Sequence, residues 1–265
     1  MIRFDRFPEG KTHVVALSFD DGRCDDLRLA KLLNKYLLKA TFHINSGKIN
    51  SQGYLSTSQV NELSKVHEVA LHSENHARLI NCASTSIVQE VLRDRLFLEN
   101  ELGRILKGFS YPFGDVNDVI YNSISACGIQ YARTTSSTHN FNIPNDFNLW
   151  NPTCHIYEMP QVVSRFLEKT SSLGQAPLLL VWGHSFELER DNRWNEMETL
   201  FSEISNREEI WYATCGEIYS YIQAVRRLQV SADETMVTNP SFQSVWISYN
   251  KNPFEIRGGE EVRLE

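Results

Sequence analysis

Val14-Val15-Ala16-Leu17-Ser18-Phe19-Asp20-Asp21-Gly22 is the stretch from which fold and chemistry can both be read. Its opening apolar run shows no alternation with polar residues, so it reads as a strand buried on both faces, as in a parallel sheet. Two adjacent carboxylates then stand at the end of that strand. Packing gives no reason for them, because like charges so close repel and each costs free energy to desolvate. A bound cation removes the difficulty: one carboxylate can ligate it and the other can accept a proton. Further ligands are at hand downstream, in His72-Ser73-Glu74-Asn75-His76.

Outward from this strand, apolar runs alternate with helix-like stretches. Strands are expected at residues 14–19, 40–45, 68–71, 108–111, 129–134, 178–183 and 210–214. Helices are expected at 26–38, 58–65, 118–127, 161–169, 195–205 and 215–224. A longer helix should start near 84–86 and carry Ile87, Val91, Leu98, Leu102 and Ile105. In the first helix Leu27, Ala30, Leu33 and Leu37 share a face, and Asp25 or Asp26 can cap it. Alternation of this kind builds a mostly parallel sheet with helices outside, and seven units suggest an open or closed barrel. After Val230 the pattern changes. Residues 235–265 have no helical period, only β-like pieces at 244–249 and 254–257, with turn signals at Asn250-Lys251-Asn252-Pro253 and Gly258-Gly259. The expected organisation is a barrel over 1–230 and a short β appendage, 231–265, packed on it.

Composition narrows the function classes. The 265 residues, 42% of them hydrophobic, suffice for one α/β domain with a large core. Twenty-six basic against 33 acidic residues give a net charge of −7, which argues against sequence-independent binding to nucleic acid or an anionic membrane. No apolar run approaches the roughly 20 residues of a membrane span. The start, Met1 to Gly10, has no signal-peptide apolar core, so a cytoplasmic location is expected. Cys24, Cys82, Cys127, Cys154 and Cys215 are odd in number, scattered and without a CxxC pair, which reads as free thiols.

The chemistry gathers at strand ends. His72 and His76 are four apart, so on one helical turn their imidazoles would face the same way and could grip one metal. Two imidazoles and a carboxylate suit a divalent ion such as zinc, with a position left for water. This is not the H-E-x-x-H metalloprotease motif, since Ser73 occupies the glutamate position. Leu178-Leu179-Leu180-Val181-Trp182-Gly183-His184 is another apolar strand ending in a histidine, a candidate general acid. In Phe109-Ser110-Tyr111-Pro112-Phe113-Gly114 the proline and glycine force a tight turn that can aim main-chain N–H groups at a developing oxyanion. His13, His43, His67, His139 and His155 have no evident partner and read as structural. Glu187 and Glu189 lie on the His184 rim but read as solvated loop charges.

Together these stretches resemble the NodB-homology polysaccharide deacetylases, carbohydrate esterase family 4. The family motif T-F-D-D-G is matched by Ser18-Phe19-Asp20-Asp21-Gly22, H-[ST]-x-x-H by His72-Ser73-Glu74-Asn75-His76, and the last motif by Leu180-Val181-Trp182-Gly183-His184. The resemblance spans roughly residues 12–226. It implies a distorted (β/α)7 barrel and one divalent ion, Zn2+ first among candidates, held by Asp21, His72 and His76. It implies Asp20 as catalytic base, His184 as catalytic acid, and a carbohydrate substrate met by Tyr111, Trp150 and Trp182. The implied activity is removal of acetyl groups from an N-acetylated sugar or polysaccharide. O-acetyl ester hydrolysis and a catalytically silent carbohydrate-binding barrel are the alternatives. One departure matters. The family's third motif often reads R-P-P-Y, its arginine orienting the catalytic aspartate, whereas Ser110 stands at that position here and Phe113 replaces the tyrosine. Main-chain donation near Phe113 survives the change. Arg133, ending the next strand, is the substitute expected for the arginine.

Overall fold

The computed structural model describes residues 1–170 and 175–264; residues 171–174 of the expected barrel and Glu265 of the expected appendage lie outside them. The strands are β1 (Ile2–Arg3), β2 (His13–Asp20), β3 (Thr41–Ile44), β4 (Glu68–Leu71), β5 (Gly108–Ser110), β6 (Tyr131–Arg133), β7 (Cys154–His155), β8 (Leu178–Gly183), β9 (Ile210–Tyr212), β10 (Gln229–Val230), β11 (Met236–Thr238), β12 (Val245–Tyr249), β13 (Asn252–Ile256) and β14 (Glu261–Arg263). The helices are α1 (Asp26–Lys35), α2 (Thr57–Leu63), α3 (Ser84–Leu102), α4 (Asp118–Ala126), α5 (Met159–Leu167), α6 (Ser185–Arg190), α7 (Trp194–Ile204) and α8 (Cys215–Arg226).

The main sheet runs β6-β5-β4-β3-β2-β8-β7, every pairing parallel, with β9 also on β2. Residues 14–19 of β2 pair along one edge with β8. The other edge is shared: His13–Val15 pairs with β9 and Ser18–Asp20 with β3. Beyond the seven expected strands there is β7, whose two residues are too few to leave a periodic signal. The chain leading into it closes the ring. Trp150 bridges to Arg133, its N–H donating to Ala132 O at 3.0 Å, and Thr153 N–H donates to Leu180 O at 2.8 Å. The closure is ragged, and the barrel is distorted accordingly.

All eight residues of β2 are buried, and its period of two sorts them. Val15, Leu17 and Phe19 pack outward against Leu29 and Leu33 of α1 in the layer between sheet and helices. Val14 and Ala16 face inward, in one cluster with Tyr131, Leu178, Leu180 and Trp150. Ser18 and Asp20 continue that inward face. The barrel interior is thus apolar at its N-terminal end and polar at its C-terminal rim.

Three local expectations change. α3 stops at Leu102 because Gly103 takes φ +63°, so Ile105 lies outside the helix and is exposed. The Asp25 side chain makes no cap bond, and Asp26 is fully buried, accepting from Ser185 Oγ at 2.5 Å. Burial holds the Asp26 carboxyl well above the usual range. α6 was not foreseen at all. The C-terminal strands form two antiparallel sheets, β1-β12-β13 and β10-β11-β14, each of which takes one strand from the first 230 residues. They enclose Val237, Ile247, Ile256 and Leu264, while Val245 reaches into the barrel-interior cluster beside Phe7 and Tyr221. All five cysteines are free.

Candidate active site

The carboxylates of the opening motif part because the chain turns between them. Asp20 ends β2 with its side chain inside the barrel, and Asp21 and Gly22 follow with φ +85° and +67°. An aspartate tolerates this left-handed conformation better than most residues. The turn brings Asp21 Oδ1 to 3.5 Å from His72 Nε2 and 3.5 Å from His76 Nε2.

His72 follows β4, and its Nδ1 lies 2.8 Å from Ser110 O. With Nδ1 turned to that carbonyl, Nε2 faces Asp21, and the neutral ring has its lone pair there to offer a metal. His76 does not lie on a helical turn with His72. The segment is a loop, with Ser73 at φ +62° and His76 at φ +58°. The carbonyls of His72 and Ser73 are taken by Asn45 Nδ2, at 2.5 and 2.8 Å, so no helical ladder forms. The imidazoles still meet, 4.8 Å between centroids, and His76 is backed by the Phe113 ring at 4.6 Å.

Asp20 is almost fully buried. Its Oδ1 accepts from Ser110 Oγ at 2.9 Å and from Arg133 Nη2. Arg133 is 1% exposed, donates from Nε to Ser18 Oγ at 2.8 Å and from Nη1 to Thr134 O at 2.9 Å, and stacks on Trp182 with Cζ 5.0 Å from the ring centre. The reason it arrives there is register: Ser110 and Arg133 are direct partners across β5 and β6, so both point inward at one level. Burial opposes ionisation of Asp20. The Arg133 charge, helped by His72, His43 and His184, outweighs burial and holds the carboxyl well below the usual range.

His184 follows β8 and opens α6. Its N–H donates to Glu187 Oε2 at 3.2 Å, and its Nδ1 lies 3.3 Å from the same oxygen. His155 Nε2 lies 3.1 Å from that oxygen, and Tyr157 N–H donates to His155 Nδ1 at 3.3 Å. Gly183 makes the approach possible, since a Cβ there would stand 2.6 Å from Ile156 Cγ2 and 3.4 Å from His155 Nε2. Burial opposes a charge on either group, yet the contact raises the pKa of His184 and pulls Glu187 well below the carboxylate range.

The expected residues therefore divide. Asp20, Asp21, His72, His76 and Arg133 come together, and Trp182 joins His184 and Arg133 on the rim. Phe113 stands beside them, half exposed, at φ +62°. Tyr111 and Trp150 are 0% and 1% exposed. Tyr111 donates to Asn148 O at 2.8 Å, and Trp150 packs against Phe147 inside the barrel, so neither offers a face to a ligand. Glu187 and His155, which read in sequence as a solvated loop charge and a structural histidine, instead meet each other beside His184. The His184-x-x-Glu187 spacing, that of a capping box, carried the signal for one of them.

Two groups of ligand-type side chains converge among the described residues: Asp21, His72, His76, and His155, His184, Glu187. The first fits an ion better. Asp21 Oδ1 is buried with no hydrogen bond, whereas Glu187 Oε2 already accepts from the His184 N–H and lies 3.1 Å from His155 Nε2. Ligand atoms on a tetrahedral zinc at its usual bond lengths stand about 3.4 Å apart, close to the 3.5 Å seen between Asp21 and each imidazole.

Residues 8–132 match the family model described as Polysaccharide deacetylase. The matched segment is just under half of the chain and holds the Asp20–Asp21 and His72–His76 stretches, so this part of the chain is similar to the polysaccharide deacetylases. The peptidoglycan-N-acetylglucosamine deacetylase PgdA of Listeria monocytogenes is 26% identical over 138 residues, 51% of this chain and 29% of that one. The chain thus spans under a third of that curated relative's length. Among solved structures, a family 4 acetyl xylan esterase from Clostridium thermocellum, in complex with a cobalt ion, superposes with a TM-score of 0.53 at 17% identity, covering 78% of this chain and 90% of that one. A mutant of a CE4-family pseudoenzyme gives 0.54 at 14% identity, covering 80% and 68%. At such identities the likeness shows the fold. No helix among the described residues is long and apolar enough to cross a membrane.

Proposed function

We propose that this protein is a zinc-dependent hydrolase that removes acetyl groups from an N-acetylated sugar or polysaccharide, releasing acetate. The observation that carries the reading is the buried, unbonded Asp21 Oδ1 facing two imidazole nitrogens beside an ionised Asp20. Asp21, His72 and His76 would hold the ion, which when bound polarises the acetyl carbonyl and lowers the pKa of water. Asp20 takes a proton from the attacking water. Arg133 keeps that carboxylate ionised and aimed, the task expected of an arginine at position 110. Phe113, with its left-handed backbone at the rim, puts main-chain donors near the oxyanion. His184, kept basic by the nearby Glu187 carboxylate, carries the proton that the leaving nitrogen needs. An amine leaves poorly unless protonated, and an alkoxide much less so. The supported acid therefore favours amide over ester hydrolysis, and it counts against a silent binding barrel.

The test is acetate release from a panel of N-acetylated glycans, with metal content measured alongside. Asp20→Asn should abolish turnover and keep about one equivalent of metal, whereas Asp21→Asn should lose both. Metal release by Asp20→Asn, or a full rate from Asp21→Asn, would overturn these roles.

A further inference from the structure

Asp94 is out of place by composition. α3 turns Ile87, Val91 and Leu98 to the core, and Asp94 shares that buried side, 0% exposed. A carboxylate there must find hydrogen bonds. Both of its oxygens take main-chain N–H groups from loops at the candidate centre: Oδ1 accepts from Ser46 N at 2.8 Å and Oδ2 from His72 N at 3.0 Å. One turn earlier Glu90 does the same further along. Its Oε2 accepts from Asn75 N at 2.9 Å, its Oε1 from Asn75 Nδ2 at 2.9 Å, and its carbonyl from Glu74 N at 3.0 Å. Gly47 N–H donates in turn to Glu74 O at 2.9 Å.

We infer that Asp94 is a positioning residue for His72 and His76, with Glu90 as the second half of a clamp on α3; the inference rests on reading Asp21, His72 and His76 as a metal centre. Two acidic side chains one turn apart on α3 reach into the same loop, an arrangement that calls for a reason. The loop supplies it. From His72 to Asn75 its N–H groups include three held from α3, while two of its residues, Ser73 and His76, keep a strained left-handed backbone. Without the clamp the loop would relax and carry both imidazoles away from Asp21. With it, the ligands are set before an ion arrives, and binding is not weakened by ordering the chain. Asp94 itself acts only through the His72 main chain.

The full-length chain, stripped with a chelator, is titrated with Zn2+ against a chromophoric competitor, and the visible spectrum of its Co2+ form reports ligand geometry. Asp94→Asn presents an NH2 to one of the two N–H donors. It should weaken Zn2+ binding about 10- to 100-fold and alter the Co2+ bands. Glu90→Gln, on a half-exposed side chain, should shift both readouts the same way by less, and it decides the matter if Asp94→Asn does not fold. Wild-type Zn2+ affinity and Co2+ spectrum in a folded variant, even one with a lowered melting temperature, would reduce the clamp to a structural contact. A wild-type chain that takes up no Zn2+, or keeps it in His72→Ala, would overturn the metal reading and the clamp together. One equivalent lost in His72→Ala with Asp94→Asn unaffected would overturn the clamp alone.

Discussion

Arg133 and Asp20 form a buried pair whose members have different replacements available. Arg133→Gln takes the guanidinium away from a buried carboxylate, a change that costs about 3–5 kcal/mol. The pKa of Asp20 should then rise, because burial opposes its charge and the largest influence favouring that charge is gone. Since Asp20 must be ionised to act as base, the acid limb of the kcat/KM profile should move to higher pH. An unmoved limb in a folded variant would show that another group holds Asp20. Glu187→Gln works on the other limb. Glu187 raises the pKa of His184, and the acid form is the one required, so its loss should move the alkaline limb to lower pH. Steady-state rates from pH 5 to 10 would show either shift. At this scale the sequence was readable where chemistry and strand ends coincide: the paired aspartates, His72, His184 and Arg133 all follow apolar runs. It was unreadable where a side chain's meaning depends on a distant partner. Glu187 reads as a loop charge until His155 is beside it, Asp94 as one polar residue in a helix, and Trp150 equally as core or cleft wall.

At the scale of elements, period carried the reading. Strands with unbroken apolar runs and helices with a clear stripe were legible, with ends shifted by caps such as Gly103. β7 and α6, two and six residues long, were not. The spacing of His72 and His76 suits a helical turn, but two left-handed residues and the Asn45 amide make a loop that meets the same distance. Gly183 offers a test of how tightly β8 packs on the segment after β7. An added methyl would meet Ile156 Cγ2 at 2.6 Å. Gly183→Ala should therefore cost about 1–3 kcal/mol by overpacking. Ile156→Ala in the same chain should restore part of it, as read by urea denaturation. Additive losses in the double variant would place the strain elsewhere.

For the whole molecule, acid sensitivity should come from histidines buried neutral. Burial lowers the pKa of His67 to about 4 and of His43 to about 3, and lowers that of His13 as well. The unfolded chain takes up these protons first, so stability is full above about pH 6.5 and falls as pH drops through the interval down to each folded value. His67 alone accounts for about 3 kcal/mol, and His67→Gln should flatten the decline in urea midpoint between pH 6.5 and 4. The appendage is the other global term. Cutting after Val230 removes β11 to β14 and uncovers the cluster around Phe7 and Tyr221 that Val245 fills. A loss of about 2 kcal/mol is expected, roughly 4–8 °C in melting temperature, with kcat/KM of the folded truncate retained because the candidate centre lies at the other end of the barrel. Finally, the ring is joined between β6 and the chain entering β7 at one bridge among the described residues, and the residue making it is Arg133. Where β2 is gripped on both edges, the amides of Thr134 and Trp150 depend on this single joint. They should exchange with deuterium well before those of Val15 and Leu17. Openings at this joint reach the residue whose guanidinium meets Asp20, so on gentle warming the proposed acetate release should be lost while circular dichroism still reads as folded.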